Sequence, residues 1–561
     1  MNKLKGQLSL RGVIIGSIGC AVITATSVYT ALKMGALPWP IIFAAIVSLF
    51  FLKALGNTNL HEVNVTHTIM SAGAMVAGGL AFTIPGIWII GAGEVNIIEM
   101  LAVAFAGVAL GLMGTAVLRK HFIEDEKLEF PIGTAAAQTI IAGDRGGKTG
   151  LKLLVSMSFA GIYTALRDWF AAIPVVLFGK LTIPGVAFGI YNSPMLLAVG
   201  FLVGTNSVIV WFIGALTGNF GIIVGGSGFG FWDVETGQSI TSSLGMGVMM
   251  GCGIGVVIKN AIPRMIPFLK RRSATKQTKK VNEATRQGYV LTKAPAGLLA
   301  GGVAAVALVL CFFVGLEPLP CLIVVVLAWV TTAMSAQSVG QTGIDPIEIF
   351  GLIVLLIVAA ASKTPQVQLF FTAGVIAVAC GLAGDVMNDF KAGHILGTSP
   401  HAQWIGQAIG GAIGAVVAVF VLTAMAAAYG TDAFGLGNEF VAAQASMVAT
   451  MVAGIPSVPS FIIGLVGGCI LYFIGVPIMM LGLGIYLPFY MSFAAFLGAL
   501  AKLLFDAFRK RRIQNMTKDQ KVQHQKSSEE TGLVLASGVL GGESIVGVLI
   551  AFISIMLGLS G

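Results

Sequence analysis

Apolar runs recur from residue 11 almost to the end of this 561-residue chain, each separated from the next by only a few polar positions. Many are about 18 to 25 residues long, enough for an α-helix to cross the hydrocarbon core of a bilayer. Inside hydrocarbon every backbone N–H and C=O has to be satisfied within the protein, so runs of this length predict helices. Composition agrees, with 56% hydrophobic residues, 10% charged residues and a mean hydropathy of +0.92. The predicted fold class is therefore all-α, a polytopic membrane helix bundle, with nothing left over for a soluble domain.

Lys and Arg concentrate between the runs in three clusters. The first is Arg119, Lys120, Lys127, Arg145 and Lys148; the second runs from Lys259 through "LKRRSATKQTKK" to Lys293; the third is "FRKRRIQNMTKDQKVQHQK", 508 to 526. Cytoplasmic loops of membrane proteins carry this excess, so the net charge of +9 reads as topology. Basic tracts flanked on both sides by spans point to membrane lipid as partner, and nucleic acid is not expected. The basic N-terminus, "MNKLKGQLSLRG", is placed in the cytoplasm, and the run after it is too long for a cleaved signal peptide. The expected location is the cell inner (cytoplasmic) membrane.

Two cytoplasmic loops must be separated by an even number of crossings. Four spans are predicted before Arg119, near 11–35, 38–55, 64–90 and 96–118. About eight lie between Lys293 and Phe508, beginning near 295, 319, 345, 366, 402, 434, 457 and 479. Both counts are even. The segment 194–227 is too long for one helix and too short for two full ones with a loop. A broken or re-entrant helix fits it, with Gly204-Thr205-Asn206, Gly218-Asn219 and "GGSGFG" (225–230) as candidates for unwound backbone, and so does a short helix pair with a glycine-rich turn. The organisation expected is an N-terminal membrane half (1–260), a basic linker (261–292), a C-terminal half (293–505), a basic cytoplasmic loop (506–530) and a final span (531–561).

The halves carry weak internal similarity. At an offset of 282, Arg11 answers Lys293, Gly19 answers Gly301, and Leu37-Pro38 answers Leu319-Pro320. At 264, "LEFPIGT" (128–134) resembles "AGHILGT" (392–398). Repeated halves with a site at their interface are a common plan for secondary transporters. Glycine supports close packing: Gly406, Gly410 and Gly414 in "GQAIGGAIG" line one helical face, which leaves a homodimer open.

"IIAGDRGGKTG" (140–150) is the nearest approach to a nucleotide-binding loop. Ala142 replaces its first glycine, and apolar helices rather than a strand–helix unit flank it, so a solvated loop is expected. Neither H-E-x-x-H nor G-x-S-x-G occurs, and an intramembrane enzyme has no support. Six cysteines without a C-x-x-C pair and six histidines without ligand spacing predict no metal site and no cofactor.

Ionisable groups inside apolar runs are expensive and so mark function or bundle-holding pairs. The candidates are Arg167 and Asp168 near the middle of the span 151–178, Glu543 in the last span, His67, and the group Asp385, Asn388, Asp389, Lys391 and His394. Arg167 and Asp168 are adjacent and point about 100° apart on an ideal helix, so pairing with other helices is one reading of them. An interfacial position is one reading of the group at 385–394.

Several segments in order, "NVTHTIMSAGAMVAGGLAFTIPG", "LEFPIGTAAAQ", "GDVMNDFKAGHILGTSPHAQWIGQAIGGAIGAVV", "NEFVAAQASMVATMVAGI", "LGIYLPFYMSFAAFLGAL" and "ASGVLGGESIVGVLIA", together resemble the prokaryotic branch of the oligopeptide transporter family, related to the yellow-stripe-like metal-chelate transporters. The resemblance implies about sixteen transmembrane helices and proton-coupled uptake of small peptides or metal-chelator complexes. It implies that Asp389 and Lys391 occupy the family's D-L-K-T-G loop, Gln444 its P-Q-A segment and Glu543 its late G-E. Ala74 stands where many prokaryotic relatives have an acidic residue, and the Asn-Pro-Gly motif of the fungal and plant peptide-transporting branch is missing.

Without the resemblance, the loops are too short for a nucleotide-hydrolysing domain, which leaves secondary transport. Asp168, Asp385, Asp389 and Glu543 are the groups expected to carry a coupling proton. A channel would show uncoupled flux, and a scaffold or sensor no flux at all.

Overall fold

The computed structural model describes residues 6–34, 37, 40–144, 149–181, 183–256, 258–259, 296–342, 345, 347–513 and 518–557. Lys293 and the basic stretch around it, and Arg145 and Lys148 of the loop-like motif, lie outside the described residues.

The first part of the chain forms α1 (Leu10–Met34), α2 (Pro40–Ala54), α3 (Leu60–Ala81), α4 (Pro85–Ile89), α5 (Ile97–Arg119), α6 (Pro131–Asp144), α7 (Thr149–Thr164), α8 (Pro194–Val203), α9 (Thr205–Ala215) and α10 (Val234–Val256). The second forms α11 (Ala296–Phe313), α12 (Pro318–Thr342), α13 (Ile347–Ala361), α14 (Gln366–Leu396), α15 (Pro400–Tyr429), α16 (Ala443–Ala453), α17 (Val458–Ile474), α18 (Ile478–Tyr486), α19 (Phe489–Ile513) and α20 (Lys518–Met556). Nine helical stretches among the described residues are long and apolar enough to cross a membrane, beside shorter apolar helices. A two-stranded antiparallel ribbon, β1 (Val176–Leu177) with β2 (Ile190–Tyr191), links α7 to α8.

Burial is the reverse of that in a water-soluble helix. α1 exposes Leu10, Ile14, Ile18 and Val22 at four-residue spacing and buries Thr24, Ser27, Thr30 and Lys33. A contiguous apolar stripe turned outward is the surface of a chain solvated by lipid. Polar side chains at the ends fix where helices begin. Asn59 caps α3 by accepting from the His61 and Glu62 N–H groups, and Asn96 with Glu99 makes a capping box on α5.

Two long apolar stretches are broken, 194–227 as expected and the span from 479 against expectation. α8 stops at Gly204, whose φ of 97° is a conformation that favours glycine, and α9 restarts at Thr205 before passing into a π-helical segment, Leu216–Gly225. Gly225 and Gly226 keep helical φ values, so the "GGSGFG" stretch proposed as unwound is helical as far as Gly228. The single span predicted from 479 is two helices, because Pro488 forces Leu487 into extended backbone between α18 and α19. The basic stretch 506–530 falls on the end of α19 and the start of α20.

The described residues fall into two compact units, one drawn from Met1–Gly146 and Val256–Val452 and the other from Gly147–Gly255 and Ala453–Leu559. Each half of the chain therefore gives its earlier part to the first unit and its later part to the second.

In the first unit α3 packs against α1, α15 and α14, while α14 packs against α12, α5 and α3. The arrangement is a repeat: helices starting at 10, 40 and 60 recur at 318, 347 and 366, a shift of 306 to 308 residues. α1 and α12 both have 25 residues, and α2 and α13 both have 15. Two backbone hydrogen bonds repeat as well. Phe130 N–H donates to Gly340 O at the end of α12, and Ala442 N–H donates to Leu32 O at the end of α1, with φ values of 44° and 41° at the donors. The sequence echo at 282 paired α1 with α11, one helix too early, because Leu-Pro precedes many helices and apolar segments resemble one another. The echo at 264 likewise joined the lead into α6 to the end of α14; the repeated hydrogen bonds match Phe130 with Ala442 instead.

The glycine stripe of α15 faces α3. A Cβ on Gly410 would lie 2.2 Å from Ile69 O, and one on Gly414 would lie 2.4 Å from Gly73 Cα, so the two backbones are in contact there.

In the second unit α7 packs on α20, α8 on α19, α9 on α18 and α10 on α17, an order that runs forward through one part of the chain and backward through the other. Phe212 stacks on Phe493 and Phe496 and meets Phe489 at a tilt, and the Trp211 indole donates to Ser492 Oγ at 3.0 Å.

Candidate functional site

Asp385 and Asp389 are four residues apart on α14, so their side chains share a face, and both are buried. That face meets α3 and α15. From α3, Ser71 Oγ lies 3.1 Å from Asp385 Oδ2 and 2.9 Å from Asp389 Oδ2. A hydroxyl has one proton to donate, so the two carboxyls share a single donor. From α15, Gln407 Nε2 donates to Asp389 Oδ2, and Gln403 Nε2 donates to the Asp389 carbonyl at 2.6 Å. His67 of α3 is fully buried, with Nε2 3.5 Å from Asp389 Oδ1, at the limit of hydrogen bonding. Among the described residues Asp385 Oδ1 and Gln407 Oε1 have no hydrogen-bond partner, and neither Asn64 Oδ1 nor Nδ2 on α3 has one. Buried polar atoms are seldom left open, and a group of them in one place marks a site that takes water, protons or a ligand.

Asn388 and Lys391 turn to another neighbour. Asn388 Oδ1 accepts from Gly133 N–H at 3.0 Å, and Lys391 Nζ donates to Leu128 O at 2.7 Å, so the two hold the first turn of α6 and the segment leading into it against α14. Gln444 lies in the first turn of α16, just past the Ala442 hydrogen bond. His394 is exposed near the end of α14.

In the second unit Arg167 and Asp168 are not mid-span as predicted. α7 ends at Thr164, and the two sit in a π-helical turn, Ala165–Trp169, beside the β ribbon. Rather than diverging, they pair with each other: Arg167 Nε and an Nη reach the two Asp168 oxygens at 2.6 and 2.7 Å. The same guanidinium donates to Glu543 at 2.9 Å and to Asn192 O at 2.6 Å, and lies over the Tyr191 ring. Glu543, fully buried on α20, also accepts from Ser193 Oγ at 2.9 Å and from Met195 N–H at 2.8 Å. Ser193 is the N-cap of α8, so the carboxylate sits on the unpaired N–H groups at that helix's start.

Ser71, Gln403, Gln407, Asn64 and Ser193 escaped the sequence reading, which sought charges. A signal was present, since His67 and Ser71, like Gln403 and Gln407, are polar pairs at four-residue spacing inside apolar helices. No group of three His, Cys, Asp or Glu among the described residues is arranged to hold a metal ion.

Long lipid-facing helices built as repeats around buried titratable groups define a multi-pass membrane transporter rather than an enzyme. The chain belongs to the oligopeptide transporter family, whose description, OPT oligopeptide transporter protein, matches residues 7–554. It is 24% identical to a putative oligopeptide transporter of Haemophilus influenzae over 94% of this chain and 92% of that protein. It is 26% identical to a metal-nicotianamine transporter of Arabidopsis thaliana over 62% of this chain and 56% of that protein. A metal-nicotianamine transporter of Oryza sativa subsp. japonica is 37% identical over 17% of this chain and 14% of its own length.

Proposed function

We propose that this protein takes up small peptides or metal-chelator complexes across the cytoplasmic membrane together with protons, by alternating access, with its N-terminus in the cytoplasm. The observation that carries the coupling is the one hydroxyl, Ser71, shared by two buried carboxyls one helical turn apart. Two carboxylates so close in an apolar interior repel each other, and a proton held between them removes the repulsion. Family membership and the two kinds of relative support the substrate class.

In this reading the Asp385–Asp389 pair is the coupling group, with Ser71, Gln407 and His67 orienting it. A second proton makes the pair neutral and favours the packed arrangement of α3, α14 and α15; its loss favours an arrangement in which water reaches the pair. Asn388 and Lys391 position α6. Arg167, Asp168 and Glu543 hold α7, α8 and α20 together. Gln444 belongs to the substrate path.

The test uses the purified protein in liposomes loaded with a pH-sensitive dye, with a mixed library of di- to hexapeptides and metal-chelator complexes outside. Acidification that depends on one of these compounds supports the proposal and identifies the substrate class. Uptake of a compound with no accompanying acidification overturns proton coupling, and outward flux under an inward proton gradient overturns uptake.

A further inference from the structure

We propose that the second unit carries a binding site for the phosphate of an anionic phospholipid headgroup, where the end of α19 meets the start of α20. A cavity of about 490 Å³ opens there, lined by Phe505, Phe508, Arg509, Arg511, His524 and Ser528. Its two kinds of wall match the two ends of a lipid.

The apolar wall continues a membrane-facing stripe. Leu500, Leu504 and Phe508 follow at four-residue spacing along α19 and are 37, 61 and 65% exposed. The apolar span to which they belong ends at Arg511. A cavity at that point lies at headgroup depth, with acyl chain below and water above.

The polar wall offers donors. Arg509 binds Asp506 and Glu529 through its terminal nitrogens, at 3.1 and 2.9 Å, while its buried Nε has no partner among the described residues. Arg511, the other guanidinium lining the cavity, is exposed and has no ion pair among the described residues, so its planar fork can be offered to a phosphate. His524 engages Ser528 Oγ through Nδ1 at 3.3 Å, and its Nε2 has no hydrogen-bond partner among the described residues. With Asp506 and Glu529 paired to Arg509, the lining left unpaired among the described residues is positive. A zwitterionic headgroup would bring a choline against that charge, whereas an anionic one brings only its phosphate and hydroxyls.

Native mass spectrometry of the full chain in detergent tests the site, with phosphatidylglycerol and phosphatidylcholine of equal acyl length as probes. Wild type is expected to retain one phosphatidylglycerol at least tenfold more tightly than phosphatidylcholine. Arg511→Gln is expected to remove that preference, while Lys510→Gln, an equal loss of charge at the exposed neighbouring residue outside the cavity, keeps it. Equal loss in both variants would show diffuse charge rather than a site and overturn the proposal, as would an unchanged preference in Arg511→Gln. Displacement of the lipid by millimolar inorganic phosphate would overturn the lipid assignment in favour of a soluble anion.

Discussion

Glu543 and Asp389 are both carboxyls without exposed surface, each on a long apolar helix, and they differ in what surrounds them. Glu543 meets a guanidinium, a hydroxyl and a backbone N–H, and the guanidinium is itself filled by Asp168 and a carbonyl. Asp389 accepts from the Gln407 amide and from a hydroxyl it shares with Asp385, both at one oxygen, while its other oxygen has only His67 at arm's length and no hydrogen-bond partner among the described residues. A charge surrounded by fixed donors is held in one state. A carboxyl pair short of donors can change state at little structural expense, which is what a coupling site requires. Burial alone does not separate a keystone from a working group, whereas the completeness of the hydrogen bonding around it does.

The comparison breaks most readily through transport. Asp389→Asn keeps the shape and a donor and removes the titration, so proton-driven uptake in proteoliposomes is expected to fall at least tenfold while the melting temperature in detergent stays near wild type. Glu543→Gln is expected to retain more transport than Asp389→Asn. If the two lose transport equally, the division between the units is wrong.

The largest stability effect belongs to Arg167. Arg167→Met strands two carboxylates and is expected to cost about 3–5 kcal/mol, the usual penalty for removing one partner of a buried pair. Adding Glu543→Gln should restore part of that loss, a coupling that a thermal-melt double-mutant cycle reads directly. Independent, additive losses would deny that the two side chains act together.

Much of the fold was legible because it follows from helix length and apolar composition. The starts of α1, α12, α14 and α17 lie within two residues of the predicted spans. The break inside 194–227 was visible in its length and its glycines. The proline-driven break between α18 and α19 was overlooked because both flanks are apolar. The true repeat shift was hidden, since its signature is matching helix lengths and backbone hydrogen bonds rather than matching letters. Among site residues, charged ones inside apolar runs could be named, but their partners could not. Arg167 and Glu543 are 376 positions apart, and the spacing of Ser71 from His67 marks a polar face on α3 without saying that Asp385 and Asp389 of α14 meet it.

Smaller effects sharpen the contrast. Ser71→Ala deletes the shared donor, and it is expected to weaken coupling without abolishing it, at about 1–3 kcal/mol of stability. Asn388→Ala removes the bond to Gly133 N–H in the first turn of α6 and should cost about 1 kcal/mol, with proton-driven uptake retained. An Asn388→Ala protein as defective in coupling as Asp389→Asn would move that residue into the working group.

The most direct measurement is infrared difference spectroscopy of the C=O stretch of protonated carboxylic acids at neutral pH, with the wild type compared against Asp385→Asn, Asp389→Asn and Glu543→Gln. A protonated-carboxyl band that disappears in either aspartate variant and survives in Glu543→Gln is the expected result. A band that survives both aspartate substitutions, or vanishes with Glu543, would contradict the assignment of the proton to the first unit.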